Sequence, residues 1–202
     1  MWKTVNEHIS QAINFDFKHT YKRQLQSTNT DKLFHITNGT HNYFVKIALK
    51  SELERLESEF IGLKLLAQNS NFKVPECITT GANIEFSFIV LQWLVLDKQP
   101  HDTWTNMGRN LAKMHQKHDQ AMFGFDVDNY LATTIQPNRW HKKWDVFYAE
   151  ERIGWQLQLL AEKGINFIEP ERLINTVKEQ LHSHQVQPSL LHGDFWRGNM
   201  GF

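Results

Sequence analysis

The sequence predicts an α+β fold in two lobes, with an antiparallel β lobe carrying one inserted helix over residues 1–94 and a mainly helical lobe over residues 95–202. Three observations predict it. Short alternating apolar runs separated by turn signals fill residues 21–91, and helical spacing of apolar residues dominates residues 106–184. The third is the closing stretch His192-Gly193-Asp194-Phe195-Trp196-Arg197-Gly198-Asn199, which sets His, Asp and Asn at the spacing H-x-D-x-x-x-x-N.

Trp2, Val5, Ile9 and Ala12 recur at helical spacing and predict a first helix ending near Phe15. Tyr21–Gln26, Lys32–Thr37 and Tyr43–Ala48 read as an antiparallel meander, the last two strands joined through the turn signal Asn38-Gly39. Leu53, Leu56, Phe60, Leu63 and Leu66 give a helix from about Glu52 to Gln68, with Ser51 available as its N-cap. Val74–Ile78 and Glu85–Leu91 are strands around a turn at Thr79-Thr80-Gly81-Ala82-Asn83, and Val95 to Asp102, with Pro100, reads as a linker. Helices are expected over Asn106–His118, with Met107, Leu111 and Met114 on one side, over about Trp140–Lys163, and from Pro170 to about His184. Ser189-Leu190-Leu191 reads as a short buried strand anchoring the closing loop.

Composition narrows the function classes. Lys plus Arg and Asp plus Glu stand at 22 each, so no general field favours nucleic acid or an anionic membrane, and a small-molecule or protein substrate is expected. Cys77 is the single cysteine, which excludes a disulfide framework and a cysteine zinc cage and fits a reducing cytoplasm. The start Met1-Trp2-Lys3-Thr4-Val5-Asn6-Glu7 lacks the apolar core of a signal peptide, and no apolar run is long enough to span a bilayer. The pairs His115/His118 and His182/His184 have no HExxH pattern or cysteine partner, so solvated histidines are the better reading.

The closing loop suits phosphoryl transfer. That reaction needs a carboxylate to accept the proton of the attacking hydroxyl and a neutral oxygen donor to hold Mg²⁺ against the nucleotide phosphates. Asp194 fits the first role, with His192 beside it in the catalytic loop, and Asn199 the second, while Gly193 and Gly198 allow tight bends. The ordinary explanation of the pattern is a turn after a strand. The wider order β-β-β-α-β-β, then helices, then H-x-D-x-x-x-x-N, resembles the protein-kinase-like fold. In that fold a third-strand lysine contacts the phosphates and pairs with a glutamate on the next helix. Lys46 in Phe44-Val45-Lys46-Ile47 and Glu59 occupy those places, against an edge-strand lysine and a solvated acidic face that includes Glu52, Glu54 and Glu57.

With these residues in hand, the chain resembles the fructosamine kinase (ketosamine-3-kinase) family in its bacterial branch. The likeness rests on Leu190 through Asn199, on Phe123-Gly124-Phe125-Asp126 with Asn129, on Thr133 through Asn138, and on Trp140 with Phe147 through Leu157. It implies ATP-dependent phosphorylation of the sugar 3-hydroxyl of a small-molecule or protein-linked ketosamine, with Mg²⁺. It implies Asp194 as base, Asn199 with Asp194 as metal ligands, and Lys46 with Glu59 as the phosphate-positioning pair. Gln92, Trp93 and Leu94 would form the adenine hinge, and Trp196 would offer a ring face to the substrate or else sit in the core beneath the loop.

Two departures qualify the resemblance. Relatives carry glycine between the first two strands, whereas Leu25-Gln26-Ser27-Thr28-Asn29-Thr30-Asp31 has none, so close backbone approach to phosphates is expected to be harder, with Ser27, Thr28 and Thr30 as remaining donors. Relatives also continue past this loop with a second metal-binding Asp and further helices, so the helical lobe is expected to be incomplete, and the chain reads as a truncated, frameshifted or partially described kinase whose parent is active and whose 202-residue form is expected to be inactive. The competing readings are an aminoglycoside- or choline-type kinase and a non-catalytic remnant that binds nucleotide or glycated amines.

Overall fold

The computed structural model describes all residues except 29, 97–102 and 202, with the side chain of Gln26 also left out. The described residues form two compact units, residues 1–111 together with 195–202, and residues 112–194. The expected linker at Val95–Asp102 lies largely outside the described residues.

In the first unit, helix α1 (Trp2–Ile13) precedes strands β1 (Tyr21–Ser27), β2 (Lys32–Thr37) and β3 (Asn42–Leu49), then helix α2 (Leu53–Asn69) and strands β4 (Cys77–Ala82) and β5 (Phe86–Gln92). The strands form one antiparallel sheet in the order β1-β2-β3-β5-β4. The sheet divides its side chains by parity. Phe34, Ile36, Val45, Ile47, Phe88 and Val90 pack with Val5 and Ile9 of α1, whereas Ala48, Ile89 and Leu91 pack with Leu56 of α2. Val5, Ile9 and Leu56 have no exposed surface, and complete burial of each stabilises by about 1.5–3 kcal/mol. Phe44 lies in the α2-side layer, and Lys46 follows it by two residues, so this β3 lysine faces α2.

Three expectations for this unit need correction. Ser51 does not cap α2. It lies within a 3₁₀ turn, Lys50–Glu52, and Glu52 holds the N-cap position without a capping bond because its carboxylate accepts from Arg55 Nε at 2.8 Å. Strand β4 begins three residues later than expected, beyond Pro75, which has no N–H to give a ladder. Its Thr79-Thr80-Gly81 is strand rather than turn: the reversal falls at Asn83, whose Oδ1 accepts the amides of Glu85 and Phe86, and Gly81 leaves room for the His8 ring of α1.

Cys77 opens β4 on the α2 side, with Sγ donating to Phe60 O at 3.6 Å. Burial pushes its thiol up to about 11 from an ordinary 9.0. At pH 8 the native protein is therefore expected to react with iodoacetamide roughly 100-fold more slowly than the same chain in denaturant. Equal rates would place the thiol in water.

The second unit includes the β6–β7 hairpin (Asn129–Leu131 and Thr134–Gln136) and a continuous helical run. This run comprises α4 (Trp144–Phe147), a π-helical segment Tyr148–Gly154 and α5 (Trp155–Glu162), and α6 (Pro170–Leu181) follows it. Helix α3 (Thr103–His115) spans the boundary between the units and buries Met114. Glu169 caps α6 through its side chain, with Pro170 at the first helical position. The helical run starts at Trp144 rather than near Trp140 because His141 still pairs with Phe123 as an isolated β-bridge. The hairpin was not expected, since Ala132 and Thr133 carry no turn signature, although Ala132 adopts φ 55°. Ser189-Leu190-Leu191 forms no strand: no described strand pairs with it, and Leu191 is 55% exposed.

Gly124 sits at φ +141°, where an added Cβ would lie 2.8–2.9 Å from Asn138 O, Arg139 O and Trp140 Cα. All three are backbone atoms held by the Phe123–His141 bridge and by Phe125 N–H donating to Asn138 O, so none can swing aside. Gly124→Ala is expected to destabilise the protein by about 3 kcal/mol, read as a fall in the denaturant midpoint at constant slope. Among the described residues no helix is long and apolar enough to cross a membrane.

Candidate active site

Lys46 and Glu59 meet as the sequence predicts. Lys46 Nζ lies 2.7 Å from each Glu59 carboxylate oxygen, and the two side chains are only 19% and 29% exposed. Parity turns Lys46 toward α2, and the apolar side chains flanking Glu59 bring that helix onto the sheet. Glu52 belongs instead to Arg55, while Glu54 and Glu57 are exposed on α2.

At the end of β5 the expected hinge is partly committed to the sheet. Gln92 N–H donates to Glu76 O at 2.8 Å, and Trp93 N–H donates to Asn42 O at 3.3 Å. The Trp93 ring is half-buried and stacks at a tilt on His35, with centroids 4.2 Å apart. Leu94 follows the last sheet pairing.

The connection between β1 and β2 closes on itself. Thr28 N–H donates to Asp31 O at 2.9 Å, and Thr28 Oγ1 accepts from the amides of Thr30 (3.3 Å) and Asp31 (2.9 Å). The amides of Thr28 and Thr30 are therefore engaged inside the turn. Ser27 Oγ accepts from Gln24 Nε2 at 2.7 Å, which leaves its own hydroxyl hydrogen to donate.

The closing loop crosses from one compact unit to the other between Asp194 and Phe195. In the second unit Gly193 adopts φ +81°, a bend that favours glycine, and Asp194 N–H donates to His192 Nδ1 at 3.4 Å. Burial pulls the His192 pKa below the usual histidine range, though the Asp194 charge opposes this, so the ring is neutral at pH 7 and accepts through Nδ1. Asp194 itself is exposed. In the first unit a 3₁₀ turn, Arg197–Asn199, follows Trp196, with Asn199 N–H donating to Trp196 O at 2.9 Å. Trp196 is 58% exposed and is not a core residue. Its ring covers Gly198, where any Cβ would collide with it, so Gly198 provides space rather than a positive φ.

Two side-chain systems escaped the sequence reading. Asp31 and Arg55 are buried and bonded to each other, 24 residues apart. In the second unit the fully buried Glu151 carboxylate accepts from Arg139 Nε (2.9 and 3.1 Å) and pairs with His141 Nε2 at 2.8 Å. His141, Glu150 and Glu151 gather within 4.8 Å, but Glu150 is paired to Lys178 at 2.7 Å and Glu151 to Arg139, so this is an ion-pair network. His118 Nδ1 lies 3.0 Å from Pro188 O and His182 Nδ1 lies 3.1 Å from Asp145 Oδ2.

A five-stranded antiparallel sheet whose third strand sends a lysine to a carboxylate on the following helix is the arrangement of a protein-kinase-like phosphotransferase. The family model described as fructosamine kinase matches residues 1–202. The probable ketoamine kinase of Vibrio parahaemolyticus is 42% identical over 99% of this chain and 70% of its own length. A candidate fructosamine-3-kinase from Haemophilus somnus 129PT, known as a crystal structure, superposes with a TM-score of 0.90 at 32% identity, covering 98% of this chain and 68% of that one. A spectinomycin phosphotransferase shares the fold alone, with a TM-score of 0.51 at 14% identity over 99% of this chain and 64% of that one. The chain belongs to the fructosamine kinase family and is a kinase. The matches run along essentially all of this chain, which spans about 70% of the length of the Vibrio relative.

Proposed function

We propose that this chain transfers the γ-phosphoryl group of ATP to the sugar 3-hydroxyl of a ketosamine, carried on a small amine or on a protein lysine. The observation that carries the reading is the Lys46–Glu59 pair, a charge-assisted bond to both carboxylate oxygens at 2.7 Å, in a member of the fructosamine kinase family. An ammonium held in this way is preset to meet the nucleotide phosphates and loses little freedom when they arrive.

Residues 1–94 serve as the nucleotide lobe and residues 95–202 carry the catalytic loop. The amides of Gln92 and Trp93 are used by the sheet, so the hydrogen bonds of adenine fall to backbone beyond them, at Leu94. Asp194 accepts the proton of the 3-hydroxyl as that oxygen bonds to the γ-phosphorus. The bond from phosphorus to the β,γ-bridging oxygen breaks, and ADP leaves with the electron pair. His192 acts through Asp194, since its neutral Nδ1 accepts the Asp194 amide. Asp194 and Asn199 offer a carboxylate and an amide oxygen, the hard donors that suit Mg²⁺, so they would hold the ion. Bound there, it supplies neutralisation of the phosphate charge. The exposed Trp196 ring gives the sugar an apolar face, and a cytoplasmic setting supplies ATP.

A substrate panel tests the proposal. The purified chain is incubated with Mg-ATP and, separately, fructosyl-lysine, the unglycated amine, an aminoglycoside and choline, and each mixture is examined by mass spectrometry. Phosphate added to fructosyl-lysine alone is the expected result. Phosphate on the aminoglycoside or choline instead, or on nothing while Mg-ATP still binds, defeats it.

A further inference from the structure

The turn between β1 and β2 lacks glycine, and its anchorage comes from α2. Asp31 closes the turn with its backbone and sends its carboxylate to the Arg55 guanidinium: Nη2 bonds Oδ1, and Nη1 lies 3.4 Å from Oδ2. Both residues are buried, at 9% and 8% exposure, and Arg55 Nε is held at 2.8 Å by Glu52. Arg55 precedes Glu59 by four residues, which places the two on one face of α2. Asp31 precedes Leu33 by two residues, and Leu33 pairs in register with Lys46, so both fall on the face of the sheet that meets α2. One helix therefore grips the start of β2 through Arg55 and the middle of β3 through Glu59.

We infer that Arg55 is a positioning residue for the nucleotide: it fixes the glycine-free turn to the helix that aligns Lys46, and it neutralises the Asp31 carboxylate, which would otherwise repel a triphosphate beside the turn. The inference rests on the reading of the chain as an ATP-dependent kinase. Breaking the pair at Arg55 alone leaves the buried Asp31 carboxylate uncompensated, whereas replacing both partners with amides removes that charge; the partly exposed Glu52 loses its Arg55 contact equally in both variants.

The test compares the full chain with Arg55→Gln and with the Asp31→Asn, Arg55→Gln double variant. It measures Mg-ATP affinity by calorimetry, KM for fructosyl-lysine, and amide hydrogen exchange across the β1–β2 connection without ligand. Arg55→Gln is expected to weaken Mg-ATP about tenfold and speed exchange in the turn, with the ketosamine KM moving less than about twofold and the double variant recovering to within about threefold. Arg55→Lys keeps the charge but loses the fork, so it falls between and serves where Arg55→Gln does not fold. Unchanged nucleotide affinity, a parallel loss of ketosamine affinity, or no recovery in the double variant overturns the role. A wild-type chain that fails to bind Mg-ATP defeats the kinase reading and the positioning role with it, while unchanged exchange in the single variant defeats the tether alone.

Discussion

Replacing Asp194 by Asn is expected to lower kcat for ketosamine phosphorylation by about 10³-fold or more, while the protein melts at its original temperature. The amide keeps the shape of the carboxylate but cannot accept the proton of the attacking hydroxyl, and general-base steps are worth about 10²–10⁴. The side chain is exposed and belongs to a loop, so its charge contributes little to the fold. Steady-state kinetics beside a thermal melt separate the two effects. A variant that retains more than a tenth of the wild-type rate would remove Asp194 from the role of base.

The second large effect belongs to Lys46→Met. The thioether matches the lysine stem in length, so the apolar contacts of β3 survive while the ammonium is lost. The proposed role predicts a fall in kcat/KM for ATP of about 10²–10³-fold. Glu59 is left without its partner in a half-buried site, which costs about 1–2 kcal/mol, less than in a dry interior because both groups still reach water. The Lys46→Met, Glu59→Gln double variant is expected to recover most of this stability and none of the activity. Recovery of activity would mean that the pair serves only the fold.

The parts of the molecule that were legible in the sequence are those governed by local pattern. The meander of β1 to β3 follows from alternating residues and the Asn38-Gly39 turn, where Gly39 adopts φ +94°. Lys46 is legible because apolar residues flank it on a strand and Glu59 because it precedes Phe60 near the middle of the next helix, and the order of the fold supplies the pairing. Long-range contacts decided what was missed. Arg55 sits among Glu52, Glu54 and Glu57, where a charged helix residue normally faces water, and only the return of Asp31 from 24 residues earlier explains its burial. Gly81 read as a turn because glycine usually breaks strands, yet here its missing side chain admits the His8 ring. The π-helical segment Tyr148–Gly154 leaves no trace in residue spacing. It accompanies a fully buried Glu151, and Gly154 allows Ile174 of α6 to approach to where an added Cβ would be 3.1 Å away.

The same contrast applies to the closing loop. The spacing of His192, Asp194 and Asn199 points to phosphoryl transfer, and Gly193 makes the expected bend at a positive φ. The role of Gly198 did not follow from conformational freedom. It follows from the Trp196 ring lying over it, a contact between side chain and backbone that the sequence does not display.

The most direct test of the central claim, transfer of phosphate to the ketosamine 3-hydroxyl, is the ³¹P–¹H correlation spectrum of the product from Mg-ATP and fructosyl-lysine. The account predicts a single phosphomonoester resonance coupled to the proton on sugar carbon 3, present with the wild-type chain and lost with Asp194→Asn. A phosphoester coupled to any other position, or its persistence in that variant, would contradict it.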